Sequence, residues 1–243
     1  MKAYLTEIME SIQGEGLTAG ARQIFLRFSG CNLRCRYCDT RASLVKPEKG
    51  IFYLKPGSNL EKEFFLNPLS IEDMMKFLQS FSSKWISLTG GEPLLWTDFI
   101  SELIDRLKPS GYKFLLETNG TLVNALDKCI KGIDLISMDF KLPSATGDDN
   151  WDNHYLFLKK AVVKPCYVKV VVDDRSREEE IEAVFDIVRR IDPQITVILQ
   201  PVTIMGKADL SLLPFLLVMQ EKGLKSLKDI RIMPQMHTFL GFI

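Results

Sequence analysis

The chain has 243 residues, 46% of them hydrophobic, and its 31 Lys and Arg balance 31 Asp and Glu. That length suits one large α/β domain or two small ones, and the balanced charge argues against a direct nucleic-acid substrate, which calls for a basic excess. No apolar run approaches the ~20 residues of a membrane span, the start Met1–Glu7 lacks the apolar core of a signal peptide, and five cysteines are too few for a disulfide framework, so the expectation is a protein of the reducing cytoplasm.

Short apolar runs alternate with longer amphipathic ones. Gln23–Phe28 reads as a strand and runs directly into Ser29-Gly30-Cys31. Residues 71–81 place Ile71, Met74, Met75 and Leu78 at helical spacing behind Ser70, a candidate N-cap. Lys84–Leu88 is strand-like and ends in Thr89-Gly90-Gly91-Glu92-Pro93. A helix over 97–107, a strand over 112–116, a helix over 122–131 closed by Gly132 and a strand over 133–138 follow. Further on come a helix over 150–161, a strand over 166–172, a helix over 177–191, a strand over 195–199, a helix over 210–222 and a strand over 230–233.

About six βα units argue for a parallel sheet with right-handed crossovers. The pattern fits an open doubly wound sheet or a partial barrel. Polar residues gather after the strands, at Cys31, Glu92, Glu117–Asn119, Asp139–Lys141, Asp173 and Gln200. In parallel α/β architectures chemistry sits at the strands' carboxyl ends, so these segments converge on one mouth. The segment 41–68, with Pro47, Gly50, Pro56, Gly57 and Pro68, breaks the series. It reads as an insert, either a lid or partner-binding element or a solvated excursion, with Ile51–Leu54 as one arm of a hairpin.

Cys31, Cys35 and Cys38 stand in a C-x3-C-x2-C spacing. Three thiolates can hold three corners of a [4Fe–4S] cluster and leave the fourth iron open for a substrate or cofactor. The alternatives are a zinc knuckle or three core cysteines. Zinc would want a fourth Cys or His close by, and the histidines, His154 and His237, are far away in sequence. Gly90 and Gly91 let backbone approach closely, and Glu92 after them offers a carboxylate to an ammonium group.

Cysteine triad, Gly-Gly-Glu-Pro and βα series together resemble the radical S-adenosylmethionine superfamily over nearly the whole chain. The resemblance implies a partial (βα)6 barrel forming one domain over 1–243, with an insert at about 41–68. It implies that S-adenosylmethionine chelates the open iron and, on receiving one electron, yields a 5′-deoxyadenosyl radical. Expected cofactor-binding residues are Tyr37, Asp39, Gly91, Glu92, Ser137, Asp139, Lys141 and Gln200. An external electron donor of the flavodoxin or ferredoxin type is implied as well.

A narrower likeness lies in Glu10–Gly16, Phe25–Phe28, Cys38-Asp39-Thr40 and Pro234–Gly241, which resemble the 7-carboxy-7-deazaguanine synthases. That family converts 6-carboxy-5,6,7,8-tetrahydropterin to 7-carboxy-7-deazaguanine with loss of ammonia, in queuosine and deazapurine biosynthesis. The likeness implies a substrate site at Ile12, Gln13, Gly14, Glu15, Arg27, Thr89, His237 and Ile243, a Mg2+ ion at the Thr40 hydroxyl, and a homodimer. The residue types suit it. Gln13 can donate and accept, Glu15 can accept from a guanidine-like ring edge, and Arg27, alternating away from Leu26 and Phe28, can meet a carboxylate. Without a ligand, Arg27 would form a structural ion pair, with Asp39 or Glu117 as candidates. The apolar end Leu240–Ile243 suggests a docked terminus, and His154 looks structural.

Three other functions share part of the pattern. A glycyl-radical activating enzyme has the same cysteine spacing but often carries further cysteine clusters, for which Cys129 and Cys166 do not suffice. A tRNA-modifying radical enzyme is disfavoured by the zero net charge. A non-catalytic iron–sulfur carrier would want a fourth protein ligand and has no use for Gly-Gly-Glu-Pro.

Overall fold

A computed structural model describes residues 1–55 and 61–240. Seven parallel strands follow one another in space in their sequence order: Arg22–Phe28, Trp85–Gly90, Lys113–Thr118, Leu135–Asp139, Cys166–Val172, Val197–Pro201 and Ile230–Ile232. The connections carry the helices Ile71–Leu78, Thr97–Leu107, Val123–Cys129, Trp151–Ala161, Glu178–Ile191 and Leu213–Gly223. Ser70 caps the first of these, its hydroxyl accepting from the Asp73 backbone N–H at 3.1 Å. This is the expected βα series, and among the described residues its sheet is open at both edges.

Strand pleating gives the sheet two faces with different duties. Ile24, Leu26, Phe28, Ile86, Leu88, Phe114, Leu116, Ile136, Met138, Val168, Val170, Val197 and Leu199 point one way, into a single core shared with the helices. Phe25, Arg27, Thr89, Glu117, Ser137, Asp139, Lys169 and Gln200 point the other way and line one cavity. Deeper on that inner face Leu115, Leu135, Tyr167 and Ile198 form a small apolar plug with Trp85 and Met233 against it. The inner face is therefore greasy where the strands begin and polar where they end.

The edge beyond Arg22–Phe28 adds a strand that was not anticipated and the hairpin whose arm was expected at Ile51–Leu54. Leu5–Ile12 is an eight-residue strand antiparallel to it. The 41–68 segment is not a loose excursion. It contributes a hairpin, Lys49–Tyr53 with Lys62–Leu66, whose first arm runs parallel to Leu5–Ile12 and extends the sheet to ten strands. Leu5–Ile12 was hidden because Glu7 and Glu10 interrupt its apolar alternation. Both glutamates meet arginines of the next strand, Glu10 with Arg22 at 2.8 Å and Glu7 with Arg27 at 2.7 Å. No helix among the described residues is long and apolar enough to cross a membrane.

Candidate active site

The polar ends of the strands surround a cavity of about 640 Å³. One wall is the cysteine loop. Cys31, Cys35 and Cys38 are free thiols, each partly buried, and all three line the cavity. The loop closes on itself through the Cys38 N–H donating to the Cys35 carbonyl at 3.2 Å. Cys31 Sγ accepts from the Leu33 N–H at 3.4 Å and faces the Asn119 amide at 3.9 Å. Such N–H donors toward sulfur are what stabilises and tunes iron–sulfur thiolates. Burial pushes the Cys35 thiol up to about 11, so cluster loading has to release its proton. Among the described residues, no three His, Cys, Asp or Glu side chains are placed to hold a single metal ion.

The glycine pair has a structural reason that its motif does not disclose. A Cβ on Gly90, at φ +118°, would lie 2.2 Å from the Phe28 carbonyl oxygen, and one on Gly91 2.1 Å from that of Gly30. The glycines let the strand end press against the root of the cysteine loop. The Gly91 and Glu92 N–H groups donate there, to Phe28 and Gly30, at 2.9 and 2.8 Å. Gly91 lines the cavity, whereas Glu92 lies fully buried behind it. The Glu92 carboxylate accepts from the Asn119 N–H at 2.8 Å, the Thr118 hydroxyl at 2.9 Å and the Leu94 N–H at 3.0 Å. Burial pushes it up to about 7 despite these donors.

The opposite wall is ionic. Lys141 pairs with Asp139 at 2.8 Å, and its ammonium lies 5.2 Å from the centre of the Tyr37 ring. Lys169 meets the same Asp139 oxygen at 3.1 Å and also binds Glu15. Gln235 donates to the other Glu15 oxygen at 2.5 Å and to Asp39 at 3.0 Å. Burial alone would raise Glu15, but Lys169, helped by Gln235, brings it down to about 2. For Lys169 burial opposes the charge, and Asp139 and Glu15 more than reverse that, holding it well above its ordinary range. Asp139 Oδ1 and Gln200 Oε1 are buried acceptors with no protein donor among the described residues.

The expected substrate residues gather here too. Gln13 is held in place, its amide donating to Glu117 at 2.6 Å and its oxygen accepting from the Glu15 N–H at 3.1 Å. Thr89 donates to the other Glu117 oxygen at 2.8 Å. The ring of His237 packs over Gly14, where a Cβ would come within 1.9 Å of Nδ1. The Met236 N–H donates to the Gly14 carbonyl at 2.8 Å and ties the C-terminal motif to the N-terminal one. Arg27 lines the cavity, but its protein partner is Glu7, not Asp39 or Glu117, and Glu7 also accepts from the Tyr53 hydroxyl at 3.2 Å. Thr40 lines the cavity with its hydroxyl 3.4 Å from the Gly90 carbonyl. Ile12, Tyr37, Asp39 and Ser137 are in the lining as well, while Ile243 lies outside the described residues. His154 is structural: it is buried against Phe140, bonded to the Asn119 carbonyl at 3.0 Å, and pushed down by burial to about 4.

Lys169 escaped the sequence reading, although a signal existed. A lysine between Val168 and Val170 in an otherwise apolar strand has to find an anion. Glu117 stood out as a polar strand end and as a candidate partner of Arg27, not as the partner of Gln13 and Thr89.

The Radical SAM superfamily profile matches residues 26–173. Full-length relatives named 7-carboxy-7-deazaguanine synthase include one from Geobacter sulfurreducens, 37% identical over 98% of this chain and 97% of its own. Another, from Methanopyrus kandleri, is 34% identical over 98% and 93%. The chain belongs to the radical S-adenosylmethionine superfamily, in the 7-carboxy-7-deazaguanine synthase family. Among solved structures, QueE from Escherichia coli shares the fold, with a TM-score of 0.64 at 21% identity over 98% of this chain and 95% of that one. Family membership brings a [4Fe–4S] cluster and S-adenosylmethionine, and the three cavity-lining thiols, with N–H donors at Cys31, fit the cluster.

Proposed function

We propose that the chain is one catalytic domain that converts 6-carboxy-5,6,7,8-tetrahydropterin to 7-carboxy-7-deazaguanine, with loss of ammonia, for the queuosine and deazapurine pathway. The observation that carries the reading is the meeting of the Gln13–Glu15 and Gln235–His237 segments with the cysteine loop in one cavity. A cluster carrier or an enzyme acting on a protein glycine has no need of such a polar pocket.

Cys31, Cys35 and Cys38 would hold the cluster, which with S-adenosylmethionine supplies a 5′-deoxyadenosyl radical. Gly91, with Glu92 fixing the turn and Asn119 behind it, would take the methionyl end. Tyr37 and Lys141 offer an aromatic face and a cation for the adenosyl part. Ser137, Asp139 and Gln200 offer buried acceptors to its hydroxyls and amine, and Asp39 borders them. On the substrate side, Glu15 is ionised and can accept a pair of N–H groups from a guanidine-like edge. Gln13, Gly14, Ile12 and Thr89 shape the slot for the ring, Arg27 faces the substrate carboxylate, and His237 closes it. A Mg2+ ion held by Thr40 and substrate oxygens is part of the proposal, since magnesium needs few protein ligands. So are a cytoplasmic location, a flavodoxin- or ferredoxin-type donor and a homodimer. Leu213, Leu217 and Leu224, exposed at helical spacing, would suit the last.

Anaerobic reconstitution tests the reading. The reduced protein should form 7-carboxy-7-deazaguanine from the carboxytetrahydropterin, and Cys35→Ala should lose both cluster absorbance and product. Cleavage of S-adenosylmethionine with no deazapurine overturns the assignment.

A further inference from the structure

The Lys169 ammonium stands between two carboxylates that the proposed function gives to different ligands. Glu15 belongs to the substrate side, Asp139 to the cofactor side, and Lys169 bonds both, the latter at 3.1 Å. The lysine projects from the middle of the Cys166–Val172 strand, in register with Asp139 on the neighbouring strand. Its side chain is 11% exposed, so little water competes for it. Each carboxylate also has a tether of its own, Gln235 for Glu15 and Lys141 for Asp139. Lys169 is therefore the charged bond that joins one half to the other, beside the neutral bridge that Gln235 makes between Glu15 and Asp39.

We propose that Lys169 is a positioning residue that couples substrate binding to S-adenosylmethionine binding. A ligand donating to Asp139 fixes that carboxylate and, through the shared ammonium, Glu15. A ligand donating to Glu15 does the reverse. Whichever binds second finds its acceptor already ordered and has less freedom to remove, so the coupling is positive. By linkage it is the same in both directions. Lys169 also keeps Glu15, Glu117 and Asp139, three acids on one wall, from standing together without a buried cation between them.

The inference rests on the proposed substrate class, and binding tests it without turnover. The reconstituted protein is kept with its cluster oxidised, and S-adenosylmethionine affinity is measured calorimetrically with and without saturating carboxytetrahydropterin. The expected wild-type ratio is about fivefold or more. Lys169→Met should bring the ratio to within twofold of unity, and Lys169→Arg, which keeps a cation in reach of both acids, should restore it. Asp139→Asn breaks the same bridge from its other end and must also abolish the ratio, which decides the matter if Lys169→Met does not fold. A wild-type ratio of unity, or one that survives in the folded variants, overturns the coupling. Deazapurine formation by the wild type is the separate control: if it is absent, the substrate assignment fails, and if it is present with coupling unchanged in the variants, only the role of Lys169 does.

Discussion

Glu15 lines the cavity and Glu92 lies buried behind it, and burial acts on both in the same direction. Glu92 has three neutral donors and rises to about 7, while Glu15 has Lys169 and falls to about 2. Hydrogen bonds alone do not offset the loss of water around a carboxylate, and a buried cation does. The glycine turn on the cofactor side is thus held by backbone and neutral groups, whereas the Lys141–Asp139–Lys169–Glu15 wall, which serves both ligands, is held by charge. The first can accommodate a ligand that brings its own charge. The second presents an anion already ionised for a ligand rich in N–H donors.

The contrast can be broken by substitution. Glu15→Gln should have the largest effect, a loss of about 3–5 kcal/mol of stability at pH 7, because Lys169 is left short of a buried anion. Denaturant unfolding measures it, and a loss below 1 kcal/mol would mean that the ionic wall is not structurally important. Glu92→Gln tests the other end through its pH slope. A folded value near 7 against about 4.5 unfolded means that the protonated acid belongs to the fold. Its contribution is complete below pH 4.5 and is lost as the pH rises to 7, by about 3 kcal/mol in the ligand-free protein. The variant should lack that decline, and parallel stability curves for the two proteins would contradict the assignment. Smaller still is Arg27→Ala, expected to weaken carboxytetrahydropterin binding by about tenfold or more while leaving S-adenosylmethionine within twofold. An equal loss of both would return Arg27 to a structural pair with Glu7.

Much of this architecture was legible in the sequence because period and punctuation agree. Each parallel strand from Gln23–Phe28 onward is a compact apolar run ending in Gly, Asn, Asp or Gln, and each helix carries its apolar stripe. Leu5–Ile12 was not legible, since Glu7 and Glu10 break its pattern and find their partners only in the fold, among them Arg27 and Arg22 on the neighbouring strand. The hairpin of the insert was half visible, in Ile51–Leu54. Its second arm, Lys62–Leu66, is an edge strand that buries only Phe65 and leaves Phe64 and Leu66 exposed. Within the site, spacing revealed the cysteines and the glycine pair. What it could not reveal was who pairs with whom. Lys169, Glu15, Asp139 and Gln235 come from four distant segments, and only the fold sets their order. The burial of Glu92 behind Gly91 is likewise a matter of how the turn packs against Thr118 and Asn119.

The central claim is that a reduced pterin and the adenosyl group of S-adenosylmethionine meet in this cavity, and isotope transfer tests it most directly. The carboxytetrahydropterin is supplied with deuterium on its saturated ring carbons to the reduced, reconstituted protein, and the 5′-deoxyadenosine is analysed by mass spectrometry. The account predicts deuterium in the 5′-deoxyadenosine together with 7-carboxy-7-deazaguanine. Unlabelled 5′-deoxyadenosine, formed at the same rate with or without the pterin, would contradict it.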